Sequence, residues 1–420
     1  MKNPQFMNVG ESSAQLPEPW RWPPKSYSPE GAIQRYFKNE TSLTLKGRQG
    51  VIAECEDALC HRFDQPRAVL CCSGTMALYA AFFAAGIGLG DEVICPTITF
   101  HATATPALHL GATVILVDVD AETGCLDPEA LSAAITPRTR ALVSNAQWGH
   151  PVDQERIQSI CKSHGIAWIE DISHAHGSSW KGRQVGTWGD LACMSLGAEK
   201  ILTGGMAGVL FGSRDDLVDR AVLVTHYLHR SKHDIRTPGF EALARTGYGL
   251  KLGAHPLAAA VVLDQVQNHF DDWVAQRADS LHRLRVGLEG LPGLRPPVIR
   301  TEVTSMGGWY GFKPWVDFAA LGITRELLVA ALRANGVEVD VPGSPPLHRL
   351  PLFADPSCRV GKWPKAEVHP RAFPAAESYT AGTLSLPTYT GPADEAQLQA
   401  TIQGFHNVWD DLRRLQLAAM

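Results

Sequence analysis

Short apolar runs alternate with segments of helical character between about residues 68 and 212. The apolar runs read RAVLCCSG, EVICPT, ATVILVDVD, RALVSN, IAWIEDI, LACMSL and AGVLFG. Runs of this length, separated by helices, predict βαβ units and a mainly parallel sheet with helices on both faces. The sequence therefore predicts an α/β fold whose large domain has three layers, α/β/α.

The segments between the runs carry signals of helix termini. GTMALYAAFFAAGIG is almost wholly apolar, which predicts a helix buried on most sides. In DPEALSAAIT, Asp127 and Pro128 stand where a helix start favours a capping carboxylate and a proline. Gly165 closes the amphipathic segment DQERIQSICKSHG, as glycine commonly does just past a helix end.

The pattern changes after about residue 250. A long helical stretch is predicted over residues 256–291. It is followed by the strand-like segment WYGFKPWVDF, the helix TRELLVAALRANG, the strand VEVDVP and a last helix over about 395–415. This order predicts a smaller C-terminal α+β domain over residues 256–420.

Residues 45–255 are then the large domain, and residues 1–44 form an N-terminal arm. Prolines in the arm are interleaved with Trp20 and Trp22, which is a pattern of neither helix nor strand. The two tryptophans predict that the arm packs against another surface.

Composition and charge exclude several classes of protein. The chain has 420 residues, of which 45% are hydrophobic and 19% charged, as in ordinary globular proteins. A net charge of −5 does not favour a nucleic-acid partner. We find no signal-peptide pattern and no run of about 18 apolar residues, so we expect a cytoplasmic protein without a membrane span. Nine cysteines without a CxxC pair predict reduced thiols.

Ligands of parallel sheets bind at the carboxyl ends of the strands, so the residues after each apolar run are candidates. Ser73, Gly74 and Thr75 follow the first run and open a helix. Free N–H groups and the helix dipole favour a phosphate there, and glycine allows it to approach closely. The alternative is that Ser73 simply caps the helix.

Three further strand ends carry candidate chemistry. Phe100 offers a stacking face, although phenylalanine is more often a core residue. Asp171 offers a carboxylate that can keep a ring nitrogen protonated. His174 and His176 alternate and have no third ligand nearby, so we expect no metal. Lys200, between small residues after an apolar run, is either a solvated loop lysine or a Schiff-base nucleophile.

These strand ends together meet the needs of one cofactor, pyridoxal phosphate. Its phosphate needs N–H and hydroxyl donors, and its ring needs a stacking face. Its ring nitrogen needs an acid, and its aldehyde needs an amine. The combination is more specific than any single residue in it.

Five ordered motifs make the chain resemble the DegT/StrS-type sugar aminotransferases. These are pyridoxal phosphate enzymes of the aspartate-aminotransferase fold, the type I transferase fold. The resemblance covers about residues 45–410. The motifs SGT-x-AL, P-x-x-TF-x-AT…GA…D, ED-x-x-x-AHG, S-x-x-x-x-K-x-LT-x-G and LSLP occur at 73–78, 96–118, 170–177, 195–205 and 384–387.

The resemblance implies a role for each candidate residue. Lys200 would bond to the cofactor aldehyde and move the substrate proton, and Asp171 would pair with ring nitrogen N1. The phosphate would be bound by Gly74, Thr75 and Ser195, with Phe100 stacked on the ring and His174 beside it. The resemblance also implies a homodimer with shared active sites, in which residues 226–255 reach the partner's site.

The implied reaction moves an amino group from glutamate or glutamine to a ketone. The acceptor would be a keto-sugar, a cyclitol ketone or a related ketone of bacterial secondary or envelope biosynthesis.

Two segments depart from the family pattern. Gly249 replaces the asparagine of GYN-x-R-M, and Gly205-Met-Ala-Gly208 replaces GEGG.

Because of these departures, other functions stay open. A pyridoxal phosphate enzyme of the same fold that catalyses elimination or dehydration is the main alternative, although superfamily members that stop at dehydration have lost the lysine. A non-catalytic regulator is less expected, because Lys200 and Asp171 are retained. A nicotinamide site is disfavoured, because the glycines of 86–90 follow a helix rather than a strand.

Overall fold

A computed structural model describes residues 27–39, 47–355 and 372–419, with the single residues 43, 357 and 359. Trp20, Trp22 and most prolines of the predicted arm lie outside these residues.

Part of the predicted arm is helical, which corrects the expectation that it has no regular structure. Glu30–Asn39 form helix α1. Its buried residues, Ala32 and Tyr36, are four positions apart and therefore lie on one face of the helix. Glu30 in the first turn and Lys38 in the last complement the helix dipole.

The large domain contains nine strands. They are β1 (Ala68–Cys71), β2 (Glu92–Pro96), β3 (Thr113–Val117), β4 (Thr139–Asn145), β5 (Ala167–Asp171), β6 (Ser178–Trp180), β7 (Arg183–Gln184), β8 (Leu191–Ser195) and β9 (Gly208–Gly212). The seven apolar runs form one sheet in the order β1-β9-β8-β5-β4-β2-β3. Strands β3, β2, β4, β5 and β8 are parallel, and β9 runs antiparallel to both β8 and β1. The prediction of a mainly parallel sheet is confirmed.

Three short strands follow, β10 (Leu294–Arg295), β11 (Val303–Met306) and β12 (Trp315–Val316). Strand β11 pairs with β6, which pairs on its other side with β7, and β10 pairs with β12. The predicted strand VEVDVP was wrong, and WYGFKPWVDF contributes only β12. In these segments Phe312, Trp315 and Asp340 each form an isolated bridge to residues 383–386, and no continuous ladder forms between the described residues there. Pro314 cannot donate to a ladder, which limits longer pairing there.

Fourteen further described helices complete the fold. They are α2 (Gly50–Arg62), α3 (Gly74–Ala84), α4 (Thr105–His109), α5 (Pro128–Ala134), α6 (Gln154–His164), α7 (Asp215–Thr225), α8 (His229–Asp234), α9 (Pro256–Asn268), α10 (Phe270–Gly287), α11 (Phe318–Leu321), α12 (Arg325–Ala334), α13 (Pro351–Ala354), α14 (Pro374–Gly382) and α15 (Glu395–Ala419). None of the described helices is long and apolar enough to span a membrane.

The helix-terminus signals were largely confirmed. Asp127 caps α5 by accepting from Glu129 N at 3.0 Å. Gly165 ends α6 in the left-handed conformation, with φ of 64°. The long helix predicted over 256–291 is instead two helices, because the backbone turns at His269, where φ is −135°.

Alternate residues of each strand pack on opposite faces of the sheet. In β1, Val69 and Cys71 share a core with α3 and α7. Ala68 and Leu70 share a second core with α2 and α9. Helices α5 and α6 cover the same face as α2 and α9, farther along the sheet. These helices form the outer layers of the predicted α/β/α sandwich.

A separate core lies in the C-terminal part of the chain. It joins α10, α12 and α15 around residues such as Leu284, Leu332 and Phe405. Phe270 and Trp273, at the start of α10, instead belong to the core that α2 and α9 form on the sheet. The predicted boundary at residues 255–256 stays a prediction.

Candidate active site

The carboxyl ends of β1, β2, β4, β5 and β8 surround a cavity of about 400 Å³. All seven residues predicted from the strand ends line it, namely Gly74, Thr75, Phe100, Asp171, His174, Ser195 and Lys200. The sheet therefore brings together side chains that are up to 126 positions apart in the sequence.

The N-terminus of α3 forms one wall of this cavity. Ser73 caps the helix, and its Oγ accepts from Met76 N at 3.2 Å. The first bond of the helical ladder runs from Ala77 N to Ser73 O at 3.1 Å. The N–H groups of Gly74 and Thr75 precede that bond and have no acceptor within the helix. Capping by Ser73 thus leaves two donors at the cavity wall.

Close packing explains the glycine that opens α3. A Cβ at Gly74 would lie 2.7 Å from Ser195 Cβ, which is closer than real side chains approach. Across the same junction, a Cβ at Gly208 would lie 2.3 Å from the carbonyl carbon of Ser73. The two glycines therefore allow the ends of β1, β8 and β9 to meet, and Ser195 comes to lie beside the helix N-terminus.

Asp171 ends β5 at the cavity and is only 7% exposed. Thr103 donates its hydroxyl to Asp171 Oδ2 at 2.7 Å, and Ser173 N donates to Oδ1 at 3.1 Å. Thr103 in turn contacts the hydroxyl of Thr99 at 2.8 Å. These bonds hold the carboxylate in one orientation.

Lys200 lies in the turn that follows β8. Its main-chain N–H donates to Gly197 O at 3.1 Å, and its Nζ lies 3.7 Å from the ring centroid of Tyr310. Burial lowers the pKa of Lys200 to about 8, while Asp171 and Glu199 oppose that shift. Desolvation disfavours the ammonium form, so a useful fraction of the amine is neutral near physiological pH.

His174 lies in a stack of aromatic rings. Its ring is 4.0 Å from that of Tyr310 and 5.3 Å from that of Trp148, with interplanar angles of 13° and 12°. Burial holds the pKa of His174 well below its usual value, and Lys200 and Lys313 lower it further. His174 is therefore a neutral, flat wall of the cavity.

Phe100 is exposed, with 52% of its surface accessible, and its ring lies 4.2 Å from that of His101. It stands at the mouth of the cavity rather than in the core.

His176 is buried, and the described residues contain no group of three His, Cys, Asp or Glu side chains that could hold a metal ion.

A second, larger cavity of about 720 Å³ adjoins the first and shares Phe100, His174, Glu199 and Tyr310 with it. Its other polar lining residues were not predicted from the sequence; they include Trp148, Lys313, Glu338, Asp340, Tyr379 and Ser385. Trp148 follows β4, so the search of strand ends could have found it. The rest come from the C-terminal part of the chain, where the LSLP motif marks Ser385 and the pattern carries no such signal for the others.

Comparison with known proteins agrees with this architecture. The sequence model of the DegT/DnrJ/EryC1/StrS aminotransferase family matches residues 37–402. The chain is 32% identical over 300 residues to a Streptomyces kanamyceticus protein named as a candidate L-glutamine:3-amino-2,3-dideoxy-scyllo-inosose aminotransferase, covering 71% of this chain and 70% of that protein. It is also 32% identical over 328 residues to the spore coat polysaccharide biosynthesis protein SpsC of Bacillus subtilis, covering 77% and 80%.

Solved structures show the same fold. An aminotransferase from Psychrobacter cryohalolentis matches with a TM-score of 0.80 at 23% identity, covering 94% of this chain and all of that one. DesV of S. venezuelae, solved with a ketimine intermediate, matches with a TM-score of 0.76 at 27% identity, covering 91% and 94%. On the strength of the sequence match and the shared fold, this chain belongs to the DegT/DnrJ/EryC1/StrS aminotransferase family.

Proposed function

We propose that this aminotransferase uses pyridoxal phosphate to move the amino group of glutamine or glutamate onto a polyhydroxylated ketone that carries no nucleotide. The observation that carries the cofactor assignment is the convergence of Lys200, Asp171 and the start of α3 on one cavity. An amine, a fixed carboxylate and a set of anion donors in one cavity are what this cofactor requires.

The chain's own geometry fits the cofactor. The N–H groups of Gly74 and Thr75 and the hydroxyl of Ser195 would hold its phosphate, because they meet where a Cβ at position 74 could not be placed. Phe100 and His174 would lie against its ring. The described lining of this cavity offers the amine of Lys200 for the aldehyde.

When bound, pyridoxal phosphate supplies an electron sink for the carbon that bears the transferred amino group. Asp171 would keep a proton on ring nitrogen N1, and Thr103 and Ser173 hold its carboxylate for that task. Lys200 Nζ would take and return the proton at that carbon, which its pKa of about 8 permits. The aromatic stack of His174 and Tyr310 would exclude water from one side.

Charge in the larger cavity supports an acceptor without a nucleotide. Three carboxylates line its described walls, those of Glu199, Glu338 and Asp340, against the single lysine Lys313. A nucleoside diphosphate needs several cations, and carboxylates repel it. The cyclitol ketone in the name of the Streptomyces kanamyceticus relative is of the class that we propose for this chain.

We further propose that the enzyme is a homodimer with shared sites. Tyr248 and Leu250 are exposed apolar side chains within residues 226–255. This segment adjoins the strand end before Ser73, since Leu252 O accepts from Cys72 N at 2.7 Å, and exposed apolar side chains there favour contact with a second copy of the chain.

The test is a visible absorbance spectrum of the purified, cofactor-loaded enzyme, recorded before and after each amino donor. We expect glutamine or glutamate to remove the visible band, and 3-amino-2,3-dideoxy-scyllo-inosose to restore it while a TDP-linked keto-sugar does not. Restoration by the TDP-sugar alone would reject the nucleotide-free acceptor. A band that ignores both donors would favour elimination or dehydration, against which the retention of Lys200 speaks.

A further inference from the structure

The larger cavity contains a second lysine, Lys313, that the proposed chemistry does not use. Lys313 lies in the segment between β11 and β12, and its Nζ is 4.4 Å from the centroid of the Trp148 ring. It also donates a hydrogen bond to Ser385 Oγ. Ser385 belongs to the LSLP motif, whose residues have no role in the proposed chemistry.

This lysine is largely buried without a counter-ion. No ion pair joins Lys313 to any carboxylate in the described part of the chain. Burial lowers the pKa of Lys313 to about 8, and Asp340 only partly opposes the shift. Buried cations are normally paired, because an unpaired charge is costly to remove from water. Although carboxylates line the same cavity, Lys313 therefore has no ion-pair partner among the described residues.

The platform beneath Lys313 is itself held in an unusual conformation. Trp148 has a positive φ of 57°, which is rare for a bulky residue. Its Nε1 donates to the hydroxyl of Tyr379 at 3.1 Å, which fixes the ring. Gly311 permits the approach, because a Cβ there would lie 2.8 Å from Trp148 Cε3. Strain of this kind commonly accompanies a functional site.

The cationic residues that line the two cavities indicate which anion would pair with Lys313. Among the described residues that line the two adjoining cavities, Lys200 and Lys313 are the lysines, and no arginine is present. Lys200 is committed to the cofactor in the proposed function. Every amino-acid donor brings a carboxylate into the site, and that carboxylate needs a cation.

We propose that Lys313 binds the carboxylate of the amino-acid donor, so that it is the residue that selects an amino acid over a simple amine. This assignment rests on the proposed function, because it presumes an amino-acid donor. The ring of Trp148 and the hydroxyl of Ser385 position the ammonium group. No covalent step is required of Lys313.

The experiment compares L-glutamine with 4-aminobutanamide, which is glutamine without its carboxylate. Loss of the visible band is followed at rising donor concentration for the wild type, Lys313→Gln, Lys313→Arg and the surface control Lys162→Gln. In Lys313→Gln we expect the efficiency with glutamine to fall about tenfold to hundredfold and that with 4-aminobutanamide to be unchanged. Lys313→Arg should retain most of the preference for glutamine over 4-aminobutanamide, and Lys162→Gln should retain all of it.

Two results would overturn the assignment. If the efficiency falls equally with both donors in a folded Lys313→Gln enzyme, the role of Lys313 is structural. If the efficiency is retained with both donors, Lys313 has no role in donor binding. If neither donor reacts with the wild type, the proposed function fails first. Calorimetric titration with glutarate then tests separately whether Lys313 binds a carboxylate. An affinity for glutarate that is the same in Lys313→Gln as in the wild type would reject the carboxylate site.

Discussion

The two faces of strand β5 carry neighbouring carboxylates in different surroundings. Glu170 accepts three main-chain N–H bonds, from Gly186, Trp188 and Gly189, at 2.9, 2.8 and 2.7 Å. Asp171 faces the cavity and accepts one hydroxyl and one main-chain N–H.

The difference follows from the pleat of the strand, which points successive side chains to opposite faces. Glu170 lies on the same face of the strand as Trp168. Its carboxylate holds the loop between β7 and β8 in place by accepting the main-chain N–H groups of that loop. Burial raises the pKa of Glu170, and those three N–H groups oppose the rise. Asp171 lies on the face of α3, where its carboxylate keeps room for a ligand. The same functional group, a carboxylate, is structural on one face and available for chemistry on the other.

The largest effect should come from removing the amine on the cavity face. Lys200→Ala should reduce turnover by at least about 10⁴-fold, because in the proposed function it removes both the nucleophile and the proton carrier. Steady-state assays at saturating donor check this, and unfolding in urea should show little change. Full activity in the variant would exclude Lys200 from the reaction.

Asp171→Asn should separate chemistry from stability. We expect turnover to fall about 10³-fold, because an amide cannot keep a ring nitrogen protonated. Stability should change little, since the amide retains the shape of the side chain. A spectrum of the loaded variant, with its turnover, measures the first effect, and thermal unfolding measures the second.

Glu170→Gln is the matched control on the opposite face and should give the inverse result. An amide nitrogen facing three N–H donors leaves buried groups unsatisfied, so unfolding should become easier by about 3 kcal/mol. Turnover per folded molecule should be retained. A large loss of turnover in folded protein would show that the two faces are not separate.

Acid should weaken the fold through buried histidines. Burial lowers the pKa of His150 to about 4 and that of His176 to about 3, whereas both regain about 6.5 on unfolding. Below pH 6.5 the unfolded chain therefore binds protons that the native chain does not. Their contribution to stability is present above pH 6.5 and is lost as pH falls towards 4 for His150 and towards 3 for His176. We expect about 1 kcal/mol for each histidine between pH 7.5 and 5.5. Urea unfolding at the two pH values checks this, with His150→Gln showing the shallower dependence.

Thr103→Val should give the smallest effect. It removes the 2.7 Å bond to Asp171 Oδ2 but leaves the carboxylate in place. We expect turnover to fall about tenfold, since one bond to a charged group is lost. Rescue in Thr103→Ser, which keeps the hydroxyl, would show that the bond rather than the packing matters.

The sequence predicted the parts of the site that lie at strand ends. Each apolar run of the large domain became a strand; Ser195 ends β8, and Lys200 follows it as the pattern indicated. It did not predict the bond from Thr103 to Asp171: Thr103 belongs to the motif at 96–118, but nothing in HATATPALHLG shows which distant side chain it contacts. It also predicted one helix where α9 and α10 turn at His269.

Local pattern alone determined the strands, the caps and the order of the candidate residues, because apolar periodicity and turn chemistry act over a few residues. Only the tertiary structure decided which side chains share a cavity. The parallel sheet aligns its strand ends at one edge, and the C-terminal segment then places Tyr310 and Lys313 over that edge. Contacts between residues more than a hundred positions apart depend on how whole elements pack, and no local pattern records that packing.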